Sequence, residues 1–238
     1  MIKGIIFDYG GTLDTNSLHW SEVLWEGFEY AAVPVTKAQF REAYVYAERA
    51  LARHPYIQPE HNFLDLLRIK VDLETQQLVS EGHLQADEVL RCQLVEAVAQ
   101  YCYAYVLRVL EVSRPVVEHL ARRFPLVLVS NFYGNIHTIL RDFRLEYFQA
   151  VVESAVVGVR KPDPQIFRLG VEALGLPAEE VVVVGDSFSK DIAPARSLGC
   201  QTVWMKGIGW GNEETDESLS TWTLNDIASL PALLDQEV

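Results

Sequence analysis

Side chains that can bind ions or attack a bond stand at or just beyond the ends of short apolar runs in this sequence. Carboxylate oxygens are ligands for hard cations such as Mg²⁺, whereas hydroxyls, backbone amides and a lysine can hold an anion. If the fold gathers these residues, they could bind a cation and an anion side by side. The residues are Asp8, Gly11, Thr12, Ser130, Asn131, Lys161, Asp186 and Asp191.

Six apolar runs predict the β-strands that must position these residues. The run IKGIIF is short, rich in β-branched residues and followed by Gly10 and Gly11. Continuous apolar runs of this kind are typical of parallel strands covered on both faces. The predicted strands are 2–7, 126–131, 150–154, 181–186 and 201–205, with a less apolar candidate at 221–224.

Helical segments separate the strands from about residue 114 onward. The first, 116–124, follows Ser113 and Pro115, which suit an N-cap and a first-turn proline. Alternating strands and helices predict an α/β fold with a Rossmann-like, doubly wound parallel sheet. Ligands of such sheets bind beyond the carboxyl ends of the strands. The remaining predicted helices are 135–144, 164–175 and 190–198.

A different pattern fills residues 16–113, which have long helical periodicity and no convincing strand. We therefore expect an all-helical unit inserted after the first strand. Its hinges are expected near 14–17 and 111–115, so the core comprises residues 1–15 and 114–238. The acidic, glycine-containing segment 207–220 is predicted to be an exposed loop.

Composition limits the partners that the chain can have. A formal net charge of −13 disfavours nucleic acid and anionic lipid. No apolar run approaches the roughly 20 residues of a membrane span, and no secretory leader is expected at the N-terminus. The three cysteines are far apart, which argues against a zinc site or a disulfide framework and favours reduced thiols in the cytoplasm. The oligomeric state cannot be predicted.

Four motifs give the sequence a resemblance to the haloacid dehalogenase-like (HAD) hydrolase superfamily. They are FDYGGTL at 7–13, VSN at 129–131, the lysine of VRKPDP at 159–164 and GDSFSKD at 185–191. They occur in the family's order, each at a predicted strand end or in the following loop. The helical insertion resembles the family's cap domain in its commonest position, after the first motif.

The resemblance implies a role for each motif residue. Asp8 would be the nucleophile that forms an aspartyl-phosphate, with Lys161 bridging Asp8 and the phosphate. The metal ligands would be Asp8, Asp186 and the backbone carbonyl of Gly10, with Asp191 acting through a water. The phosphate would be held by Thr12, Ser130, Lys161 and amides near Gly11 and Asn131. The expected function is Mg²⁺-dependent hydrolysis of a small phosphorylated metabolite.

Position 10 departs from the family pattern. In members that cleave phosphate esters, an aspartate there protonates the leaving oxygen and then activates water, and Gly10 can do neither. General acid–base catalysis typically contributes about 10²–10⁴-fold. We therefore expect weak phosphatase activity, with activated leaving groups affected least.

Two alternatives to a phosphatase remain open. Gly10 favours a catalytically silent protein that binds phosphate in a regulatory role. A small residue at this position is also found in phosphonatase-like members, which cleave carbon–phosphorus bonds through a cap lysine; the candidates here are Lys37 and Lys70. Dehalogenation is disfavoured, because dehalogenases of this superfamily use no metal and lack the aspartate found here at Asp186.

Overall fold

The computed structural model describes residues 1–209, 211 and 215–236. Within them, six parallel strands form one sheet in the order β3-β2-β1-β4-β5-β6. The strands are β1 Gly4–Phe7, β2 Leu126–Ser130, β3 Ala150–Glu153, β4 Val181–Gly185, β5 Gln201–Met205 and β6 Trp222–Leu224. All six lie within the predicted runs, and the order reverses at β1, so the predicted doubly wound α/β fold is confirmed.

The register of the central strands aligns their carboxyl ends. Ile5 of β1 pairs with Leu126 of β2 on one side and with Val182 of β4 on the other. Every residue of β1, β2 and β4 is buried. Alternate residues enter separate apolar clusters, Phe7 in one and Ile6 in the other, because the sheet is covered on both faces. Side chains that follow these three strands therefore meet at one edge of the sheet.

Helices connect most of the strands in the described chain. Four of them, α1 to α4, lie between β1 and β2, as the inserted helical unit requires. No helix in the described part of the chain is both long and apolar enough to span a bilayer. The α-helices are α1 Trp20–Tyr30, α2 Lys37–Arg53, α3 Phe63–Ser80, α4 Glu88–Ala121, α5 Ile136–Asp142, α6 Ser154–Val157, α7 Gln165–Leu174, α8 Ala193–Ser197 and α9 Leu230–Leu234.

Local sequence signals set where two of the inserted helices begin. Thr36 caps α2 in a reciprocal capping box with Gln39, and Asn62 caps α3 in the same way with Asp65. Each box satisfies backbone N–H groups that the first helical turn would otherwise leave without partners. The helices therefore start at fixed residues, which sets the positions of the side chains they carry.

The prediction that a separate helix begins after Ser113 is wrong. Helix α4 continues without interruption from Glu88 to Ala121, with Pro115 inside it. The Ser113 hydroxyl donates to the Val109 carbonyl within the helix and does not cap a helix start. A proline removes one helical hydrogen bond, but the buried face of α4 runs past it from Leu110 to Val117, and this packing outweighs the local signal. The division into a core of 1–15 and 114–238 and a helical cap of 16–113 stays a prediction.

The helix predicted at 190–198 is divided in two. A π-helical turn, Phe188–Ile192, precedes α8, so the helical backbone begins before the predicted start. Residues 210 and 212–214 of the loop predicted at 207–220 lie outside the described residues. The described residues of that segment are largely exposed, and Glu217–Leu219 form a 3₁₀ turn.

Candidate active site

Asp8 lies directly beyond β1 and contacts a lysine from a distant part of the chain. Its backbone N–H donates to the Val184 carbonyl of β4, which fixes it at the edge of the sheet. Lys161 Nζ donates to Asp8 Oδ1 at 2.5 Å and lies 2.6 Å from Asp191 Oδ1. All three side chains are buried. The predicted nucleophile and the predicted bridging lysine are thus in direct contact.

Asn131 fixes the backbone of the lysine. Its side-chain amide donates to the Lys161 carbonyl at 3.1 Å, and its side-chain oxygen accepts from the Lys161 N–H at 2.9 Å. Asn131 directly follows β2, so the end of this strand holds the loop that carries Lys161. Ser130, the last residue of β2, is buried.

Three carboxylates converge on the same point. Asp8, Asp186 and Asp191 each offer an oxygen, and these oxygens lie within 4.8 Å of one another. The Thr12 hydroxyl is 3.3 Å from Asp8 Oδ2 and 3.5 Å from Asp186 Oδ1. Asp191 is held by the Ser187 N–H, which donates to Asp191 Oδ2 at 3.0 Å. The end of β1 and the turn after β4 therefore supply one cluster of acidic oxygens.

Two glycines make this close approach possible. A Cβ atom at Gly11 would lie 2.3 Å from Asp186 Oδ2, and the Gly11 φ of +93° is in the left-handed region that favours glycine. A Cβ atom at Gly185 would lie 2.5 Å from the Cβ of Asp191. Any larger residue at either position would displace a carboxylate of the cluster.

Burial sets the electrostatics of the cluster. It raises the pKa of Asp8 to about 6, although Lys161 opposes the rise. Burial and the nearby charges of Asp8 and Asp191 raise the pKa of Asp186 well above its ordinary range. For Lys161, burial lowers the pKa, but the adjacent Asp191 and Asp8 outweigh it and raise the pKa overall. The cluster thus contains three acidic side chains and one lysine. Because the acidic oxygens outnumber the single ammonium group, the site fits a divalent cation such as Mg²⁺.

The space beside Gly10 is bordered by Trp20. A Cβ atom at Gly10 would lie 3.8 Å from Trp20 Nε1, an ordinary van der Waals distance. Trp20 Nε1 donates to Asp14 Oδ2 at 3.0 Å, and the Gly11 N–H donates to Asp14 Oδ1 at 2.8 Å. Burial raises the pKa of Asp14 to about 8. Asp14 therefore supports the loop after β1 from within the protein, a role that its position near a predicted hinge did not indicate.

A second group of polar residues joins the inserted helices to the segment after β2, and sequence reasoning named only one of its members, Lys70, as a candidate cap lysine. Glu48 of α2 is ion-paired with Lys70 of α3, and the Tyr133 hydroxyl donates to Glu48. Helical periodicity places Glu48 and Lys70 on their helices but does not indicate that they meet. No sequence signal connects either of them with Tyr133.

Comparison with known proteins relates the chain to enzymes that act on phosphorylated compounds. It is 39% identical over 84 residues to glyceraldehyde 3-phosphate phosphatase of Methanocaldococcus jannaschii, a match covering 35% of this chain and 36% of that protein. It is 35% identical over 88 residues to phosphoserine phosphatase of Thermus thermophilus, covering 37% of this chain and 35% of that protein. The matches thus span about a third of each relative.

The fold has close counterparts among solved structures. The HAD-hydrolase YfnB of Bacillus subtilis superposes with a TM-score of 0.60 at 20% identity, covering 98% of this chain and 99% of that one. The family model for haloacid dehalogenase-like hydrolases matches residues 2–199, which include all four motifs. The chain therefore belongs to the haloacid dehalogenase-like hydrolase family.

Proposed function

We propose that this protein hydrolyses small phosphate monoesters through a covalent intermediate on Asp8, with Mg²⁺ as cofactor. The observation that carries the proposal is the contact of Lys161 with both Asp8 and Asp191, beside the third carboxylate of Asp186. A buried lysine among three acids would be a costly arrangement for structure alone. It suits a site where an anionic nucleophile must meet an anionic substrate.

Asp8 is the attacking group. One carboxylate oxygen forms a bond to phosphorus while the bond from phosphorus to the alcohol oxygen breaks, and the alcohol oxygen keeps the electron pair. Lys161 keeps Asp8 ionised and reduces its repulsion from the phosphoryl oxygens. Water then attacks the phosphorus atom, which releases phosphate and restores the carboxylate.

Asp8, Asp186 and the Gly10 carbonyl would hold the metal ion, with Asp191 acting through a water. When bound, the ion supplies positive charge that offsets the charge on the transferring phosphoryl group. Thr12, Ser130 and the amides near Gly11 and Asn131 would orient the phosphoryl oxygens.

Gly10 leaves the departing alcohol without the family's general acid. The alcohol oxygen then has to take its proton from solvent, which is hardest for alkyl alcohols and easiest for acidic phenols. We expect slow turnover of metabolite esters and faster turnover of aryl phosphates. The names of the similar phosphatases, which act on glyceraldehyde 3-phosphate and phosphoserine, support a small metabolite as the substrate.

Carbon–phosphorus cleavage is less well supported than ester hydrolysis. An imine requires a neutral amine, but Lys70 is ion-paired with Glu48, which raises the pKa of Lys70 well above its ordinary range despite its burial. Lys37 is paired with Glu22. Neither lysine has the unpaired, desolvated environment that activates an amine.

A direct assay distinguishes an active phosphatase from a catalytically silent phosphate-binding protein. We expect the wild type with Mg²⁺ to hydrolyse para-nitrophenyl phosphate and Asp8→Asn to lose this activity. Binding of vanadate or inorganic phosphate without turnover on a broad phosphate panel would instead support a silent phosphate-binding protein.

Location and other partners stay predictions. The three cysteines are free, which agrees with a reducing compartment, and we place the protein in the cytoplasm on that basis. The expectation that it binds no nucleic acid rests on its net charge of −13.

A further inference from the structure

Glu48 of α2 is held by two residues from different parts of the chain. It is ion-paired with Lys70 of α3, and the Tyr133 hydroxyl lies 3.3 Å from Glu48 Oε1 and 3.4 Å from Oε2. Tyr133 belongs to the segment after β2, close to Asn131. A carboxylate from the inserted helices is thus fixed against the loop that positions the catalytic lysine.

The groups that act on Glu48 come from segments on both sides of β1. In the sheet, β1 lies between β2 and β4. Tyr133 lies in the segment after β2, and Lys190 lies in the turn after β4. Burial raises the pKa of Glu48, but Lys70, Lys190 and Tyr133 outweigh it and lower the pKa overall, so both segments act on this carboxylate. Glu48 is therefore in contact with the segment after β2 and is influenced by a charge in the turn after β4, the two segments that flank Asp8.

Further contacts fix the loop between α2 and α3 against the segment after β2. The Asn135 side-chain amide donates to the His61 carbonyl at 2.9 Å, and the Thr138 hydroxyl donates to the Pro59 carbonyl at 2.7 Å. Both donors belong to the region between β2 and the first turn of α5. Glu48 lies on the helix that leads into this fixed loop.

Burial differs sharply between the two members of the ion pair. The Lys70 side chain is 6% exposed, and its ammonium lies 4.7 Å from the centre of the Tyr44 ring, whereas the Glu48 side chain is 36% exposed. A carboxylate can accept about four hydrogen bonds, more than Lys70 and Tyr133 supply. The accessible part of the pair is thus its carboxylate, which can accept further hydrogen bonds.

We propose that Glu48 determines substrate specificity by accepting hydrogen bonds from the leaving group of the phosphate ester. This rests on the function proposed above and names the substrate class: monoesters whose alcohol carries hydroxyl or ammonium groups, such as polyol phosphates. Esters whose alcohol carries an anionic group but no hydroxyl or ammonium group are disfavoured, because nothing in them would offset the repulsion from the Glu48 carboxylate.

The test compares two small phosphate esters as competitive inhibitors of para-nitrophenyl phosphate hydrolysis. Glycerol 3-phosphate carries two hydroxyls, and phosphoglycolate carries a carboxylate. Each inhibition constant is divided by that of inorganic phosphate, so that a general weakening of the site cancels. For the wild type we expect glycerol 3-phosphate to bind about tenfold tighter than phosphoglycolate after this correction.

Glu48→Gln should remove most of this discrimination, whereas Glu42→Gln, an exposed glutamate on the same helix, should retain it. Because Glu48→Gln leaves Lys70 without its partner, the double variant Glu48→Gln/Lys70→Met removes both charges and serves if the single variant does not fold. We expect it to lose the discrimination as well.

The outcomes separate this inference from the proposed function. Hydrolysis by the wild type with no preference between the two esters, or with a preference that survives in the Glu48 variants, would overturn the specificity role and leave the phosphatase standing. A wild type that does not hydrolyse para-nitrophenyl phosphate would overturn the proposed function, and the specificity role with it.

Discussion

Lys161 Nζ donates to Asp8 Oδ1 at 2.5 Å although the two residues are 153 positions apart. Asp8 is fixed by the ladder between β1 and β4, and Lys161 is fixed by the side chain of Asn131 after β2. The contact is therefore a product of the strand order, in which β2 and β4 both adjoin β1.

The first prediction concerns this lysine. Lys161→Met should lower kcat for para-nitrophenyl phosphate by about 10²–10³-fold, because removing one preorganised charge-stabilising group typically costs this much. The matched control is Lys3→Met, which breaks an exposed pair with Glu180 and should leave kcat unchanged. Steady-state kinetics with Mg²⁺ measure both. Equal effects of the two substitutions would show that the contact with Asp8 has no catalytic role.

The second prediction concerns metal binding. Mg²⁺ should raise the melting temperature of the wild type, because an ion that binds only the folded state stabilises it, by about 1.4 kcal/mol at ten times its Kd. Asp186→Asn should lose most of this increase, since it removes one of the three clustered carboxylates. Melting curves at increasing Mg²⁺ concentration measure the effect.

A second set of metal-type ligands provides the control for that experiment. One potential ligand atom from each of Glu42, Glu81 and His83 lies within 4.8 Å of the others, and both glutamates are exposed. Glu81→Gln should retain the full Mg²⁺-dependent increase. If Glu81→Gln lost the increase and Asp186→Asn kept it, the ion would bind on the surface of the inserted helices and not at Asp8.

The sheet could be predicted from the sequence because its signals are local. Each apolar run is short and ends at a glycine or a polar residue, so it predicts one strand, and the alternation with helices predicts parallel pairing. The continuity of helix α4 past Ser113 and Pro115 could not be predicted, because these two residues are local signals, whereas the apolar face that continues past them is buried by elements far away in the chain.

The same distinction applies to the candidate site. Asp8, Lys161, Asp186 and Asp191 stand in recognisable motifs, and the structure brings them together. The Asp14–Trp20 hydrogen bond depends on a reversal of the backbone at Asn16 and Ser17, which have φ values of 52° and 76°. Non-glycine residues seldom adopt this conformation, so the sequence did not indicate that Trp20 would border Gly10.

The third prediction tests the role of position 10. Gly10→Asp should raise turnover of alkyl phosphates more than that of aryl phosphates, because alkyl leaving groups depend most on a general acid. A Cβ atom there would lie 3.8 Å from Trp20 Nε1, so a side chain can start at this position without a clash. Parallel kinetics with an alkyl and an aryl phosphate measure the difference. Gains of equal size for both substrates would contradict this account of the missing acid.

Gly11→Ala is the matched control for Gly10→Asp. Its Cβ atom would lie 2.3 Å from Asp186 Oδ2, at a backbone φ of +93°. It should lower turnover of both classes of substrate and weaken the Mg²⁺-dependent stabilisation, because Asp186 must move. An effect confined to alkyl phosphates would show that the loop after β1 tolerates side chains more freely than these distances allow.

The last prediction concerns Glu74, which is completely buried in α3. Neither of its carboxylate oxygens has a hydrogen-bond partner among the described residues, and burial raises its pKa to about 8. The folded state therefore holds a proton that the unfolded state releases near pH 4.5. This contribution to stability is fully present below the unfolded pKa and is lost as pH rises through about 8.

Glu74→Gln replaces the protonated carboxyl with a neutral group of similar shape, so it should remove this part of the pH dependence. Between pH 5 and pH 8 the wild type should lose up to about 4 kcal/mol of unfolding free energy through Glu74, at 1.36 kcal/mol for each pH unit. Glu29→Gln, at an exposed position of α1, should follow the wild-type curve. Urea unfolding at several pH values measures all three proteins. Parallel curves for the wild type and Glu74→Gln would mean that Glu74 is ionised in the folded protein, which would require a buried partner for its charge.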